Sequence, residues 1–152
     1  MKKRIKLGQI GIGHNHGADK MLAFRKYPEK FDIVGFAEAD TEWLKKRGNL
    51  PSYRGRPLLT ADRLIDECDA ILIETDVPYL TRTAAMCVER GKHIHMDKPA
   101  SGTLEEFKYV LDTAKDKQLV VQMGYMYRYN PAIQKTFDTI PIGKRMYFLL
   151  RG

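Results

Sequence analysis

The sequence contains few of the residues that build disulfide frameworks or metal centres. Two cysteines, Cys68 and Cys87, and four histidines occur among the 152 residues, and the cysteines have no metal-type spacing. We expect both cysteines to be reduced, buried thiols in a cytoplasmic protein. No apolar run approaches the roughly 20 residues that a membrane-spanning helix needs, so no membrane association is predicted.

The chain also lacks the composition of a disordered or nucleic-acid-binding protein. It is 43% hydrophobic and 30% charged, which suits one globular domain with a core. The net charge of +7 would favour polyanions. The basic residues are scattered, however, and no zinc-finger spacing or RNA-binding aromatic motif accompanies them. We therefore predict no nucleic-acid partner.

An alternation of strand and helix patterns runs through the sequence. Short apolar runs are typical of buried strands, and the segments between them have helical spacing. Alternation with short connections predicts an α/β fold with a doubly wound parallel sheet, whose ligands bind beyond the carboxyl ends of the strands. Strands are predicted at Arg4–Ile10, Phe31–Ala37, Ala70–Ile73, His93–Met96, Leu119–Met123 and Met146–Leu150, and helices at His16–Lys26, Thr41–Arg47, Ala61–Glu67, Pro78–Arg90, from Thr103 onward and at Asn130–Asp138.

Several predicted helices begin or end at residues that favour capping. Thr41 and Thr60 are predicted N-caps, and Gly48 is predicted to follow its helix in the left-handed conformation. Thr103 and Glu106 form a capping-box pattern. An apolar stripe follows the box at Leu104, Phe107, Val110, Leu111 and Ala114.

A glycine-rich segment, GQIGIGHNHG over residues 8–17, joins the first strand to the first helix. Gly11 and Gly13 match the first two glycines of the G-x-G-x-x-G fingerprint of Rossmann folds, which allow a tight turn and a close approach of the pyrophosphate. The third position is His16, with Gly17 next. Either the helix enters one residue out of register, or His16 points outward. The helix start would offer free amides to phosphates.

The same loop carries an H-x-H pair, His14 and His16. A metal site would need a third and a fourth ligand, and the sequence shows none, so no metal is predicted. We expect His14, Asn15 and His16 to line a cofactor cleft.

An acidic residue follows the second strand, where Rossmann folds bind the adenosine ribose. Glu38 lies 25 residues after Gly13, close to the usual spacing of ~20. A carboxylate there accepts hydrogen bonds from the ribose hydroxyls and repels a 2′-phosphate, so NAD is predicted over NADP. Asp40 is the alternative carboxylate, or it caps the next helix. The basic run Lys45–Arg47 is the counter-argument, because it could hold a 2′-phosphate; otherwise it is a solvated helix face.

Two further segments resemble family signatures. Residues 91–99, GKHIHMDKP, resemble the G-K-H-V-x-x-E-K-P signature of the glucose–fructose oxidoreductase, inositol dehydrogenase and MocA family, and residues 123–131, MGYMYRYNP, resemble its G-x-x-x-R-[FY]-x-P segment. Together with the glycine loop, these segments stand in the order of the family along nearly the whole chain.

The resemblance implies roles for individual residues. Lys98 corresponds to the catalytic lysine, which lies beside the nicotinamide and hydrogen-bonds the substrate hydroxyl. Asp97 replaces the usual Glu, and Pro99 corresponds to a proline that is commonly cis. Thr75 lies at the strand exit that faces the cofactor, and Arg128 belongs to the segment that opens the cleft toward the substrate domain.

The resemblance also implies a larger enzyme. Residues 1–124 are predicted to form the dinucleotide-binding domain, and residues 125–152 the crossover and the start of a second α/β substrate domain, which would be truncated here. The parent enzyme, a homo-oligomer, would transfer hydride between NAD and a secondary hydroxyl of a sugar, inositol or related polyol. We expect little turnover from these 152 residues alone. The alternative is a non-catalytic dinucleotide-binding module.

Overall fold

A computed structural model describes residues 3–139, so the predicted strand Met146–Leu150 lies outside the described residues. Five parallel strands form one sheet in the order β2-β1-β3-β4-β5. The chain returns from β2 to the other side of β1, so a crevice opens where the carboxyl ends of β1 and β3 diverge. The strands are β1 (Ile5–Ile10), β2 (Phe31–Ala37), β3 (Ala70–Ile73), β4 (His93–Met96) and β5 (Val121–Met123).

Six α-helices accompany the sheet within the described residues, and a short 3-10 turn (Val77–Tyr79) precedes the fourth. The helices are α1 (Asn15–Arg25), α2 (Thr41–Arg47), α3 (Ala61–Glu67), α4 (Leu80–Glu89), α5 (Leu104–Asp116) and α6 (Pro131–Thr139). The elements predicted within residues 3–139 are confirmed, with ends that differ by a residue or two. β5 begins later than predicted because the Leu119 amide donates to Ala114 and closes the turn after α5.

The sheet is covered on both faces, which confirms the doubly wound arrangement. Ile71 and Ile73 pack with the buried residues of α3, α4 and α5. Leu72, which points to the opposite face, packs with Met21 of α1 and with Leu7. Burying an aliphatic side chain of this size contributes about 1.5–3 kcal/mol, so these two layers supply much of the stability of the fold.

The capping predictions hold for two helices and fail for one. The Thr60 side chain accepts from the Arg63 amide, and Thr103 and Glu106 form the reciprocal capping box. On α2 the N-cap is Asp40, whose carboxylate accepts from two amides of the first turn. The Thr41 prediction was wrong because Asp40, one residue earlier, has the extended backbone and the acceptor. The prediction of a left-handed Gly48 was also wrong, since its φ of −58° is right-handed.

The apolar stripe of α5 is buried only in part. Val110 and Ala114 are buried, whereas Leu104 and Leu111 are 78% and 43% exposed. α5 packs on α4 through a narrow face, which leaves its first turn in contact with solvent.

Cys68 and Cys87 are free thiols in the core, as predicted. Burial raises the pKa of each thiol to about 12. No helix within residues 3–139 has the length and apolar character needed to cross a bilayer.

Candidate functional site

The turn after β1 requires glycine at Gly11. Its φ is +91°, and a Cβ there would overlap the backbone of Glu74 and Thr75 at the end of β3. The Gly11 amide also donates to the Ala37 carbonyl at 2.8 Å, which ties the loop to the end of β2. The loop therefore lies in the crevice between β1 and β3, as its position in the sequence predicted.

Gly13 is required by a contact that the sequence analysis missed. A Cβ at Gly13 would lie 2.8 Å from the indole of Trp43, which reaches the loop from α2. The pattern offered no signal for this contact, because Trp43 is 30 residues away on another helix.

The third glycine of the fingerprint is replaced by Gly17, one residue later. Gly17 is buried in the first turn of α1, and a Cβ there would lie 2.8 Å from Gln9 Nε2 and 3.1 Å from Glu74 Cβ. The close helix–strand contact that this glycine allows is thus made one residue out of register. Of the two alternatives left open by the sequence, the structure selects the shifted helix.

His14 and Asn15, which lie at the start of α1, both accept hydrogen bonds from other residues of the protein. His14 is the N-cap, and its Nδ1 accepts from the His16 amide at 3.2 Å. The Asn15 side-chain oxygen accepts from Arg47 at 2.8 Å. Burial and the neighbouring His16 lower the pKa of His14, which favours the neutral imidazole.

Glu38 is held rigidly at the end of β2. Its two carboxylate oxygens accept from the Ile12 amide and the Asp40 amide, each at 2.9 Å. Each oxygen keeps a further lone pair for a ligand. Asp40 caps α2 through Oδ1 alone and lines the same cavity as Glu38, so the choice of Glu38 as the ribose carboxylate stays a prediction.

A cavity of about 890 Å³, within the range of small-molecule sites, is lined by Gly11, Gly13 and Glu38, whereas His14, Asn15 and His16 are not among its lining residues. The buried Thr75 hydroxyl has no hydrogen-bond partner within the described residues. A dinucleotide requires a glycine turn, helix amides, a carboxylate and a hydroxyl that can bind it. The turn at Gly11, the start of α1, Glu38 and Thr75 provide these groups, so the residues present fit this cofactor. The lining includes Gly11, Gly13, Ala37, Glu38, Leu58, Leu59, Thr75 and Tyr79.

The basic run of α2 does not line this cavity. Lys45 pairs with Glu42 at 2.8 Å, and Lys46 lies over the Trp43 ring. Lys45 and Lys46 therefore belong to a solvated helix face, which was one of the two alternatives. Arg47 instead donates to Asn15 in the glycine loop.

The signature segment places Asp97 and Lys98 directly after β4. Asp97 is buried, whereas Lys98 is exposed and is followed by a cis bond to Pro99, as the resemblance implied. Lys20 of α1 donates to Asp97 at 3.2 Å and to Glu74 at 2.6 Å. Burial acts to raise the pKa of Asp97, but Lys20, the Lys98 amide and His16 outweigh it and lower that pKa.

Asp97 also supplies a third potential ligand beside His14 and His16, which the sequence analysis did not find. One donor atom from each residue lies within 4.8 Å of the others. Lys20 donates to Asp97 Oδ1, and the positive charge of its ammonium disfavours a second cation there. The absence of a metal stays a prediction.

Arg128 lies outside the larger cavity. It is exposed after β5 and lines a neighbouring cavity of about 620 Å³ with Lys20, His95 and Gly124. A Cβ at Gly124 would lie 2.9 Å from Asp97 Oδ1, so this glycine lets the segment approach the signature aspartate. Burial lowers the pKa of His95 to about 4, so that ring is neutral near pH 7.

Comparison with known proteins decides the family. Residues 5–125 match the model of the glucose–fructose oxidoreductase, inositol dehydrogenase and MocA family, described as an oxidoreductase family with an NAD-binding Rossmann fold. The chain belongs to this family.

Its relatives are dehydrogenases. UDP-N-acetylglucosamine 3-dehydrogenase of Acidithiobacillus ferrooxidans is 27% identical over 86% of the chain, which spans 40% of that protein. The NAD(+)-dependent scyllo-inositol 2-dehydrogenase of Bacillus subtilis is 31% identical over 53% of the chain, or 24% of its own length. A crystal structure of the Acidithiobacillus enzyme superposes with a TM-score of 0.71 at 26% identity, covering 90% of this chain and 43% of that one.

Proposed function

We propose that this chain is the dinucleotide-binding part of an NAD-dependent oxidoreductase acting on a secondary hydroxyl of a sugar, inositol or related polyol. The observation that carries the proposal is one continuous arrangement at the carboxyl ends of the strands. Gly11, Glu38 and Thr75 surround the larger cavity, and Lys98 follows the neighbouring strand β4. The relatives named above act on a nucleotide sugar and on an inositol.

The protein groups divide the work of holding the cofactor. The amides at the start of α1 would bind the pyrophosphate, with His14, Asn15 and His16 beside it. Glu38 would accept the ribose hydroxyls, and its charge would repel a 2′-phosphate, which favours NAD over NADP. Thr75 is a free hydroxyl donor in the same crevice.

Lys98 is proposed to handle the substrate. When bound, the nicotinamide supplies the hydride acceptor or donor of the reaction. The Lys98 side chain would hydrogen-bond the reacting hydroxyl; as a neutral amine it would accept the hydroxyl proton when hydride leaves the alcohol, and as an ammonium it would return that proton in the reverse direction. Asp97 and Pro99 fix the segment that carries Lys98, and Arg128 would border the substrate side. A cytoplasmic location and a homo-oligomeric parent enzyme remain parts of the proposal.

Cofactor titration tests the proposal directly. The purified chain is titrated with NADH and with NADPH by calorimetry, and the two titrations are repeated with Glu38→Ala. We expect NADH to bind more tightly, and the preference for NADH over NADPH to fall by about tenfold in the variant, because a charge-assisted hydrogen bond contributes roughly 1.5–3 kcal/mol. Glu42→Ala, which removes an exposed carboxylate on α2, is the matched control and should keep the preference.

A preference that is unchanged in Glu38→Ala would contradict the assignment of Glu38. If neither NADH nor NADPH binds to the folded chain, the proposed cofactor site as a whole is contradicted. Because the readout is a ratio of two affinities, a general loss of stability in the variant does not imitate the expected result.

A further inference from the structure

A buried cluster of charges lies between the glycine loop and Lys98. The ammonium of Lys20 lies 2.6 Å from Glu74 Oε1 and 3.2 Å from Asp97 Oδ1. The side chains of Glu74 and Asp97 are only 0% and 9% exposed. Glu74 directly follows β3 and precedes Thr75, and Asp97 directly follows the neighbouring strand β4 and precedes Lys98. We call this cluster the floor of the crevice, because Glu74 lines the larger cavity and Lys20 lines the neighbouring one.

Small residues bring the backbone close to this cluster from two sides. Gly17 of α1 approaches the Glu74 side chain, and Gly124 approaches both Lys20 and Asp97. Glu74 Oε2 is buried and accepts no hydrogen bond within the described residues. A carboxylate in this position lacks the hydrogen bonds that would fully compensate its burial, and the cation that pairs with it, Lys20, is shared with a second carboxylate.

The charge of the cluster depends on Glu74. One ammonium and two ionised carboxylates carry a net charge of −1, and protonation of Glu74 makes the cluster neutral. Burial raises the pKa of Glu74 to about 7, against the opposing effect of Lys20. The change of charge therefore falls near neutral pH, while the lowered pKa of Asp97 keeps that group ionised.

Two other titratable groups around Glu74 keep their charge between pH 6 and pH 8. Tyr53, whose hydroxyl contacts Gln9, has a pKa raised to about 12 by burial and stays neutral. His95 is neutral because its pKa is lowered to about 4. The remaining groups nearby are Lys20 from α1, Asp97 and Lys98 after β4, and His14 and His16 in the loop, of which His16 lies 3.7 Å from Asp97.

We propose that Glu74, acting with Lys20 and Asp97, sets the preference of the site between oxidised and reduced nicotinamide. The inference rests on the proposed function, because it places the nicotinamide beside Lys98. An oxidised ring is cationic and a reduced ring is neutral, so a negative floor favours the oxidised form. Both forms carry the same pyrophosphate, so any effect of Glu74 on the phosphates cancels in the ratio of their affinities.

The test compares three ligands at two pH values. NAD+, NADH and ADP-ribose, which lacks the nicotinamide, are titrated into the full chain at pH 6 and pH 8 by calorimetry. We expect the ratio of the NADH dissociation constant to the NAD+ dissociation constant to rise by on the order of fivefold from pH 6 to pH 8. In Glu74→Gln the ratio should stay constant, and in Glu74→Asp, which restores the charge, the dependence on pH should return.

Glu67→Gln is the matched control, because Glu67 pairs with Arg63 on α3 and precedes the amino-terminal end of β3, whereas Glu74 follows its carboxyl end. It should keep the wild-type behaviour.

A wild-type ratio that is independent of pH would overturn the inference without any variant, so the test does not depend on how well Glu74→Gln folds. A ratio in Glu74→Gln that still rises as in the wild type would overturn it as well. If ADP-ribose binds at neither pH 6 nor pH 8, the proposed cofactor site itself is wrong. If ADP-ribose binds and the ratio is flat, only the role of Glu74 is wrong.

Discussion

A single methyl group decides how α1 packs on the sheet. In Gly17→Ala the new Cβ would meet Gln9 Nε2, which is held by the Gly11 carbonyl at 2.8 Å and the Tyr53 hydroxyl at 2.9 Å. Alanine is the better helix former by about 1 kcal/mol, but overpacking a buried contact costs about 1–3 kcal/mol. We expect a net loss of up to about 2 kcal/mol in the free energy of unfolding, measured by urea denaturation.

The control for this substitution is Asp19→Ala, at an exposed position of the same helix, which should change stability by less than about 0.5 kcal/mol. A Gly17→Ala protein as stable as the wild type would show that Gln9 can move aside, and that the close contact of α1 is not needed.

Single residues were predicted well where one backbone property decides the outcome. Gly11 could be assigned from the sequence because a tight turn after a strand needs a residue that tolerates positive φ. The shift from His16 to Gly17 could not be predicted, since it depends on whether α1 begins one residue earlier or later. Trp43 against Gly13 depends on how α2 packs, which local spacing does not encode.

The start of α2 provides a test at the level of one element. Asp40 accepts from the amides of Glu42 at 2.7 Å and Trp43 at 3.2 Å. Asp40→Ala should therefore lower the free energy of unfolding by about 1 kcal/mol. Thr41→Ala, one residue later and without a capping bond, is the matched control and should cost less than about 0.5 kcal/mol. Thermal unfolding measures the stability of both variants. If Thr41→Ala lowered the stability more than Asp40→Ala, Thr41 and not Asp40 would be the N-cap of α2.

Strands were easier to predict than the surfaces of helices. The core strand β3 is buried on both faces, so its sequence, AILI, is uniformly apolar and its limits matched. The stripe of α5 was predicted from spacing alone, yet Leu104 is 78% exposed. Spacing shows which residues share a helix face, but the width of that face in contact with the protein depends on the neighbouring helix.

At the scale of the whole molecule, folding brings together groups that the sequence analysis never connected. Lys20 is 54 residues from Glu74 and 77 residues from Asp97, and no motif links the three. The family signature drew attention to Asp97 and Lys98, whereas Glu74 lay unnoticed at the end of an apolar strand. Its buried charge is a property of the assembled sheet and of α1, and it affects the stability of the entire fold.

The stability of the protein should therefore depend on pH through Glu74. The pKa of this carboxyl is about 7 in the folded state, above its usual value of 4.5, so between these values the folded state binds the extra proton. The contribution of Glu74 to stability is full below pH 4.5 and is lost as the pH rises through 7. His95 acts in the opposite direction between about pH 4 and 6.5, because burial lowers its pKa.

Glu74→Gln separates the two effects, since His95 is present in both proteins and cancels in their difference. From pH 5 to pH 8, the free energy of unfolding of the wild type should fall relative to that of Glu74→Gln by on the order of 1–3 kcal/mol. Urea denaturation at the two pH values measures this difference, with Glu67→Gln as a control whose exposed carboxylate should give none. A constant difference between wild type and Glu74→Gln would mean that Glu74 has the same pKa folded and unfolded, and that the floor of the crevice keeps its negative charge throughout this range.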